Sequence, residues 1–243
     1  MAFNLAAFKT RALTAIVFAI IMLAGLFVSG LGFIILFAVI HFGCWYEFVK
    51  LVKKIRGEKY IYFLPLGLVY ITIPVLMMVF LGYPNSEKIF WDKGYENAPL
   101  YSYILPCAII FSMWINDTMA YIVGSLIGKT PFSKISPKKT WEGTIGGAIL
   151  CVLVMGFVVM PLISANSAFD IIHSISRFHW FAIAAICTVF GTVGDLLESK
   201  LKRLAGVKDS GTLMPGHGGF LDRFDSLLIA TPFVWLYVYL FML

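Results

Sequence analysis

Residues 12–49 read ALTAIVFAIIMLAGLFVSGLGFIILFAVIHFGCWYEFV, and Glu47 is the only formally charged residue among them. A transmembrane helix needs about 20 apolar residues, so this run is long enough for two crossings. The dipeptide Ser29-Gly30 near its middle predicts a tight turn between them. Lys9 and Arg11 precede the run as in a signal peptide, but its length and the second apolar run predict an uncleaved first span.

The remainder of the chain has the same apolar character. Of its 243 residues, 60% are hydrophobic and 13% are charged, whereas soluble domains average about 45–50% and 25%. We therefore predict an all-α, polytopic transmembrane protein that forms a single membrane domain over residues 1–243. The seven candidate spans are residues 12–29, 31–49, 61–82, 100–128, 141–163, 178–197 and 226–243.

Basic residues are distributed unevenly between the loops. If the N-terminus is cytoplasmic and each candidate span crosses once, 16 of the 19 Lys and Arg residues lie on the cytoplasmic side, and only Lys88, Lys93 and Arg177 lie outside. This asymmetry is the pattern that sets membrane orientation. The net charge of +6 therefore indicates topology and attraction to lipid headgroups and phosphates, and we expect no nucleic-acid partner.

A carboxylate interrupts the fourth candidate span. Asn116-Asp117 lies in the middle of residues 100–128, and the halves are too short for two separate crossings, so one long or broken helix is predicted. A charged Asp at membrane depth costs about 2.5–3.5 kcal/mol, so it should face a polar cavity or a cation. Tyr121 shares its helix face. A purely structural, hydrogen-bonded Asp117 remains the alternative.

Three further polar segments fall on the predicted cytoplasmic side. Residues 128–143 (GKTPFSKISPKKTWEG) form a basic loop rich in hydroxyls, and Thr140 is a candidate cap for a helix whose N-terminal amides favour anions. Residues 194–203 (GDLLESKLKR) place four polar side chains on one helix face, namely Asp195, Glu198, Ser199 and Lys202. Residues 208–226 (KDSGTLMPGHGGFLDRFDS) combine glycines, which let backbone amides approach phosphates, with Asp222 and Asp225 at the head of the last helix.

This mixture of groups suits phosphoryl or nucleotidyl transfer. Carboxylates bind Mg²⁺ together with substrate phosphates, and basic side chains neutralise charge on the phosphates. Membrane topology alone does not require the five carboxylates predicted on the inner side, which are Asp117, Asp195, Asp209, Asp222 and Asp225.

The pattern of residues 199–225, SKLKR-x4-KDSG-x3-PGHGG-x2-DR-x-D, closely resembles the signature of the phosphatidate cytidylyltransferase (CDP-diacylglycerol synthase) family. Residues 136–143 and the pair Asp117-x3-Tyr121 are also similar to that family. The resemblance covers about residues 110–230, while the first hundred residues match in hydropathy alone. It implies N-terminal spans over residues 1–100 and a catalytic part over residues 101–243. It also implies a bacterial inner membrane location with the active site facing the cytoplasm.

The resemblance implies that CTP and phosphatidic acid react to give CDP-diacylglycerol and pyrophosphate. It further implies Mg²⁺ as cofactor, with a monovalent cation such as K⁺ as an additional candidate, and membrane lipids as surroundings. We also consider a homodimer, for which no residue gives evidence. The expected metal ligands are Asp195, Asp222 and Asp117; the expected catalytic residues are Asp195, Asp222, Asp225 and Lys202. The expected substrate-binding residues are Ser136, Lys138, Lys139, Ser199, Arg203, Lys208, His217, Gly218, Gly219, Arg223 and Tyr121.

Two other functions remain open at this point. A CTP-dependent membrane lipid kinase would use the same metal and phosphate groups but would transfer the γ-phosphoryl group. An ion-coupled transporter would use buried carboxylates as an ion pathway, which predicts polar residues reaching both sides of the membrane. The one-sided clustering of polar residues favours the enzyme.

Overall fold

The computed structural model describes residues 5–83, 101–133, 135–165, 175–212 and 218–242, with side chains from residue 12 onward. Within these ranges the chain is helical apart from loops and one isolated antiparallel bridge between Pro131 and Thr140. The predicted all-α class is therefore confirmed for the described residues.

Nine α-helices follow one another along the described chain. They are α1 (Leu5–Phe27), α2 (Gly30–Arg56), α3 (Leu64–Gly67), α4 (Ile73–Gly82), α5 (Ile104–Ile127), α6 (Trp141–Val154), α7 (Met160–Ala165), α8 (Arg177–Leu204) and α9 (Leu221–Phe241). A 3-10 helix (Gly57–Phe63) joins α2 to α3, and π-helical turns join α3 to α4 (Leu68–Thr72) and α6 to α7 (Met155–Val159).

Five helical stretches of the described chain are long and apolar enough to cross a membrane. They are Gly30–Gly82, Ile104–Ile127, Trp141–Ala165, Arg177–Leu204 and Leu221–Phe241, and α1 contributes a shorter apolar segment, Ala12–Phe27. These helices make the chain an integral membrane protein. The count of seven crossings and the orientation stay predictions.

Local sequence signals account for several helix boundaries. The Ser29 hydroxyl caps α2 by accepting a hydrogen bond from Gly32 N at 3.0 Å, and Thr140 caps α6 in the predicted way, accepting from Gly143 N at 3.1 Å. The helix α5 runs unbroken through Asp117. The helix α8 continues past residue 197 and α9 begins before residue 226, because hydropathy alone leaves out the charged turns at these two ends.

Two pairs of helices pack most extensively, α5 with α6 and α8 with α9. A Cβ atom at Gly147 of α6 would collide with the backbone of Ala120 in α5, and one at Gly194 of α8 would collide with the backbone of Asp225 in α9. Small residues allow such close helix contacts inside membranes. These contacts bring the polar segments of four helices to one end of the bundle, where α5 and α8 end and α6 and α9 begin.

Candidate active site

A cavity of about 480 Å³ lies at that end of the bundle, between α5, the loop 128–140, α6, α8 and α9. Eight of the predicted site residues line it: Asp117, Tyr121, Lys138, Lys139, Asp195, Asp222, Arg223 and Asp225. Polar segments that are up to about a hundred residues apart in the sequence therefore face one common space.

Glu142, in the first turn of α6, fixes the loop that carries the two lysines. Its carboxylate accepts hydrogen bonds from Lys129 N at 3.2 Å, from Thr130 N at 3.1 Å and from the Thr130 hydroxyl at 2.8 Å. Trp141 N donates to Thr130 O at 2.9 Å, which closes the loop at its base. The loop therefore presents Lys138 and Lys139 to the cavity from a fixed base.

The first carboxylate–lysine pair of the site joins this loop to α8. The ammonium group of Lys139 forms an ion pair with Asp195 Oδ2, and the two side chains are 33% and 27% exposed. Because both groups also line the cavity, a ligand that enters the cavity can reach this pair.

The second carboxylate–lysine pair joins α8 to α9 and is more deeply buried. Lys202 Nζ lies 2.5 Å from Glu198 Oε2 and 2.6 Å from Asp222 Oδ1. The side chains of Glu198 and Asp222 are 0% and 7% exposed, and that of Lys202 is 14% exposed. One lysine thus contacts two carboxylates where α8 and α9 meet.

The other oxygen of Asp222 binds the backbone of Ser210 and Gly219. Asp222 Oδ2 accepts hydrogen bonds from Ser210 N and Gly219 N, each at 2.8 Å, and it lies 2.9 Å from the Ser210 hydroxyl. Gly218 has a φ of 83°, a backbone conformation that favours glycine. Asp225, one turn later, is buried, and its Oδ1 accepts from Ser226 N at 2.6 Å.

The remaining predicted residues lie elsewhere. The cavity lining, as far as the structure describes it, omits Ser136, Ser199, Arg203 and Lys208, and His217 lies outside the described residues. Lys202 and Gly219 do not line the cavity themselves, but both contact Asp222, which does. Tyr121, by contrast, lines the cavity, and 77% of its surface is exposed. The ring of Trp141 packs edge-on against the ring of Phe132, with 4.5 Å between the two centroids.

The sequence prediction missed Glu142 and Glu47 as site-forming residues. Both are carboxylates that accept backbone hydrogen bonds from segments carrying predicted site residues. The signal for Glu142 was the run Thr140-Trp-Glu, in which an acidic residue follows a helix cap. The signal for Glu47 was weaker, since it was only the one charge in a long apolar run.

The oxygen donors of this cavity fit a hard divalent cation. Four carboxylates and the Asn116 amide line it, and Mg²⁺ favours oxygen ligands. Within the described ranges, no group of three or more His, Cys, Asp or Glu residues is arranged so that it could hold a metal ion. In general, Mg²⁺ binds one or two carboxylates and takes its other ligands from water and substrate phosphates.

A second cavity of about 340 Å³ adjoins the first, and the two share Asp117 and Arg223. Its wall is formed by α1 and α5 together with Arg223, and the lining residues are Thr14, Ala15, Phe18, Ala19, Trp114, Asp117, Thr118 and Arg223. The combination of a charged end and an apolar wall suits an amphipathic molecule.

The fold and the cavity define a class of protein, a helical membrane protein whose acidic and basic groups meet at one end of the bundle. A family model described as "Cytidylyltransferase family" matches residues 93–241. The chain belongs to this family.

Curated relatives of the chain carry the name phosphatidate cytidylyltransferase. The protein of Staphylococcus saprophyticus is 45% identical over 121 residues, which are 49% of this chain and 43% of the relative. That of Staphylococcus haemolyticus is 42% identical over 131 residues, 54% of this chain and 46% of the relative. That of Haemophilus influenzae is 34% identical over 194 residues, 69% of this chain and 65% of the relative. The matched part thus spans between 43% and 65% of these relatives' lengths.

Proposed function

We propose that this chain is a phosphatidate cytidylyltransferase, which joins the CMP part of CTP to phosphatidic acid and releases pyrophosphate. The observation that carries the proposal is the common cavity, in which the lysines of the loop 128–140 face the aspartates of α5, α8 and α9. The names of the relatives support the same activity. The polar cavity and the predicted orientation together favour an active site that faces the cytoplasm of a bacterial inner membrane.

The reaction is a single displacement at phosphorus. A phosphate oxygen of phosphatidic acid attacks the α-phosphorus of CTP, a new P–O bond forms, and the bond between the α-phosphorus and the bridging oxygen to pyrophosphate breaks. Catalysis of this kind depends on positioning and on neutralising charge. We assign triphosphate binding to Lys138 and Lys139, and contact with the lipid phosphate to Arg223, which lines both cavities.

We assign Mg²⁺ binding to Asp195 and Asp222, with Asp117 and Asp225 as the further carboxylates of the same cavity. When bound, the cation would offset negative charge on the phosphates of CTP. Lys139 and Lys202 pair with the two principal carboxylates. Lys139 also lines the cavity, whereas Lys202 contacts it only through Asp222. A monovalent cation such as K⁺ remains an additional candidate.

The second cavity supports a lipid as the acceptor of the nucleotidyl group. Phe18, Ala19 and Trp114 provide apolar wall for acyl chains, while Asp117 and Arg223 lie where the two cavities meet. This arrangement lets a phosphate headgroup enter the polar cavity while its chains stay in an apolar environment. A soluble acceptor would gain nothing from such a wall.

CTP labelled at different phosphates tests the proposal. Purified protein in lipid–detergent micelles is incubated with Mg²⁺, phosphatidic acid and CTP carrying the label at the α- or γ-position. We expect α-label in the lipid product and γ-label in pyrophosphate.

Two outcomes would contradict it. Transfer of γ-label to lipid, with α-label left in soluble nucleotide, would identify a lipid kinase instead. Flux of an ion or solute into proteoliposomes without CTP, together with no label transfer, would identify a transporter.

A further inference from the structure

Glu47 lies in α2, within the N-terminal part of the chain, yet its carboxylate contacts the segment that precedes Asp222. Only 3% of the residue is exposed. Its Oε1 accepts a hydrogen bond from Phe220 N at 3.0 Å, and its Oε2 accepts from Leu221 N at 2.9 Å. The Ser210 hydroxyl lies 2.6 Å from Oε2. The buried carboxylate therefore has hydrogen-bonding partners for both oxygens.

The two amides belong to the beginning of α9. Phe220 occupies the capping position of this helix, and its own side chain makes no capping hydrogen bond. The first amides of a helix lack partners within the helix, and the helix dipole favours a negative group beside them. Glu47, which is 173 residues from Phe220 in the sequence, supplies both the acceptor and the charge.

The Ser210 hydroxyl links Glu47 to Asp222. It lies 2.6 Å from Glu47 Oε2 and 2.9 Å from Asp222 Oδ2. A hydroxyl has a single proton and donates it to one acceptor at a time. Leu221, whose amide Glu47 binds, directly precedes Asp222. Glu47 is therefore connected to Asp222 both along the backbone and through Ser210.

Two glycines leave the space that Glu47 occupies. A Cβ atom at Gly211 or at Gly219 would collide with the Glu47 carboxylate. On α2 itself, a Cβ atom at Gly43 would collide with the ring of Phe220. Gly211, Gly219 and Phe220 therefore pack closely against α2 around this carboxylate.

From this geometry we infer that Glu47 is a positioning residue, which caps α9 from another helix and thereby holds Asp222 in place at the cavity. Glu47 is absent from the lining of the cavity described above, so its effect on substrates is indirect. The inference gives the N-terminal part of the chain a defined role in the site. It rests on the proposed function only where turnover is concerned.

Hydrogen–deuterium exchange tests the cap without CTP, lipid substrate or added metal. Glu47→Gln removes the charge and one acceptor oxygen. We expect amide exchange in peptides covering residues 218–224 to be at least about tenfold faster than in the unchanged protein, because hydrogen bonds to a charged acceptor are lost. Peptides from α6 should exchange at the unchanged rate. Glu58→Gln, which changes an exposed carboxylate just after α2, is the matched control and should alter neither region.

Kinetics separate positioning from general damage. For Glu47→Gln we expect kcat for CMP transfer to fall about ten- to hundredfold, while KM for CTP changes less than about threefold. If Glu47→Gln does not fold, Gly219→Ala displaces the carboxylate by the added Cβ atom, and the same exchange pattern is expected there.

Unchanged exchange over residues 218–224 in a folded variant would overturn the inference. A higher KM for CTP at unchanged kcat would overturn it as well. The exchange experiment does not depend on catalysis. It can therefore refute the role of Glu47 as a cap without refuting the proposed reaction, and the reverse also holds.

Discussion

The two carboxylate–lysine pairs of the site differ mainly in their surroundings. Lys139 and Asp195 join a loop to α8 and are 33% and 27% exposed, whereas Lys202 and Asp222 join α8 to α9 and are 14% and 7% exposed. An exposed ion pair contributes about 0–1 kcal/mol to stability, but breaking a buried pair costs about 3–5 kcal/mol. The pair Lys139–Asp195 can therefore separate at little cost so that each group contacts substrate instead. The pair Lys202–Asp222 is suited to hold α8 and α9 together.

The largest effect is expected for Asp222→Asn, because it breaks the buried pair and removes a proposed metal ligand. We expect turnover to fall by at least about 10²-fold and the free energy of unfolding to fall by roughly 3–5 kcal/mol. Label transfer from α-labelled CTP and the midpoint of unfolding in detergent measure the two effects. Near-normal turnover of the folded variant would refute the assignment.

Asp195→Asn should separate activity from stability. We again expect a loss of at least about 10²-fold in turnover, but the free energy of unfolding should change by no more than about 1 kcal/mol, since its pair with Lys139 is partly exposed. The same two assays apply. If Asp195→Asn destabilised the protein as much as Asp222→Asn, the proposed difference between the two pairs would be wrong.

Lys139→Gln tests whether the exposed pair releases its lysine to substrate. We expect KM for CTP to rise about tenfold, which corresponds to the loss of one charge-assisted hydrogen bond, with little change in the unfolding midpoint. Lys129→Gln changes an exposed lysine of the same loop and is the control, for which KM should stay within about twofold. If both variants raised KM for CTP equally, Lys139 would contribute no more than any other positive charge on this loop.

Glu142→Gln tests the base of the loop that carries Lys139. The Glu142 carboxylate accepts three hydrogen bonds from Lys129 and Thr130, so its neutralisation should loosen the loop and lower kcat/KM for CTP about tenfold. Thr130→Val removes only the hydroxyl bond and should cost about threefold. A larger loss for Thr130→Val than for Glu142→Gln would contradict this account of the loop.

Much of the fold could be predicted because it depends on local signals. Hydropathy located the apolar stretches, and the cap of α6 followed from Thr140 alone. The spacing of Asp222 and Asp225 predicted their common position at the start of α9. The helix limits of α8 and α9 could not be read from hydropathy, because polar turns continue a helix as well as apolar ones do.

The partners of the charged groups could not be predicted, since they depend on how the helices pack. Nothing in the spacing of Lys139 and Asp195 indicates that they form an ion pair across two elements. The stripe that contains Glu198 and Lys202 was visible in the sequence, but the contact of Lys202 with Asp222 requires the close approach of α8 and α9 at Gly194. The contact of Glu47 with α9 joins residues 173 positions apart.

The smallest effect is expected for Lys53→Ala, in the last turn of α2 and less than two turns beyond Glu47. Lys53 is exposed, and its ammonium group lies 5.7 Å from the centroid of the Tyr60 ring, a contact worth about 0.5–1 kcal/mol at most. Turnover should therefore stay within about twofold of the unchanged protein in the same label-transfer assay. A large loss would mean that the site extends along the surface of α2. An unchanged rate, together with a strong effect of Glu47→Gln, would restrict the contribution of α2 to its buried carboxylate.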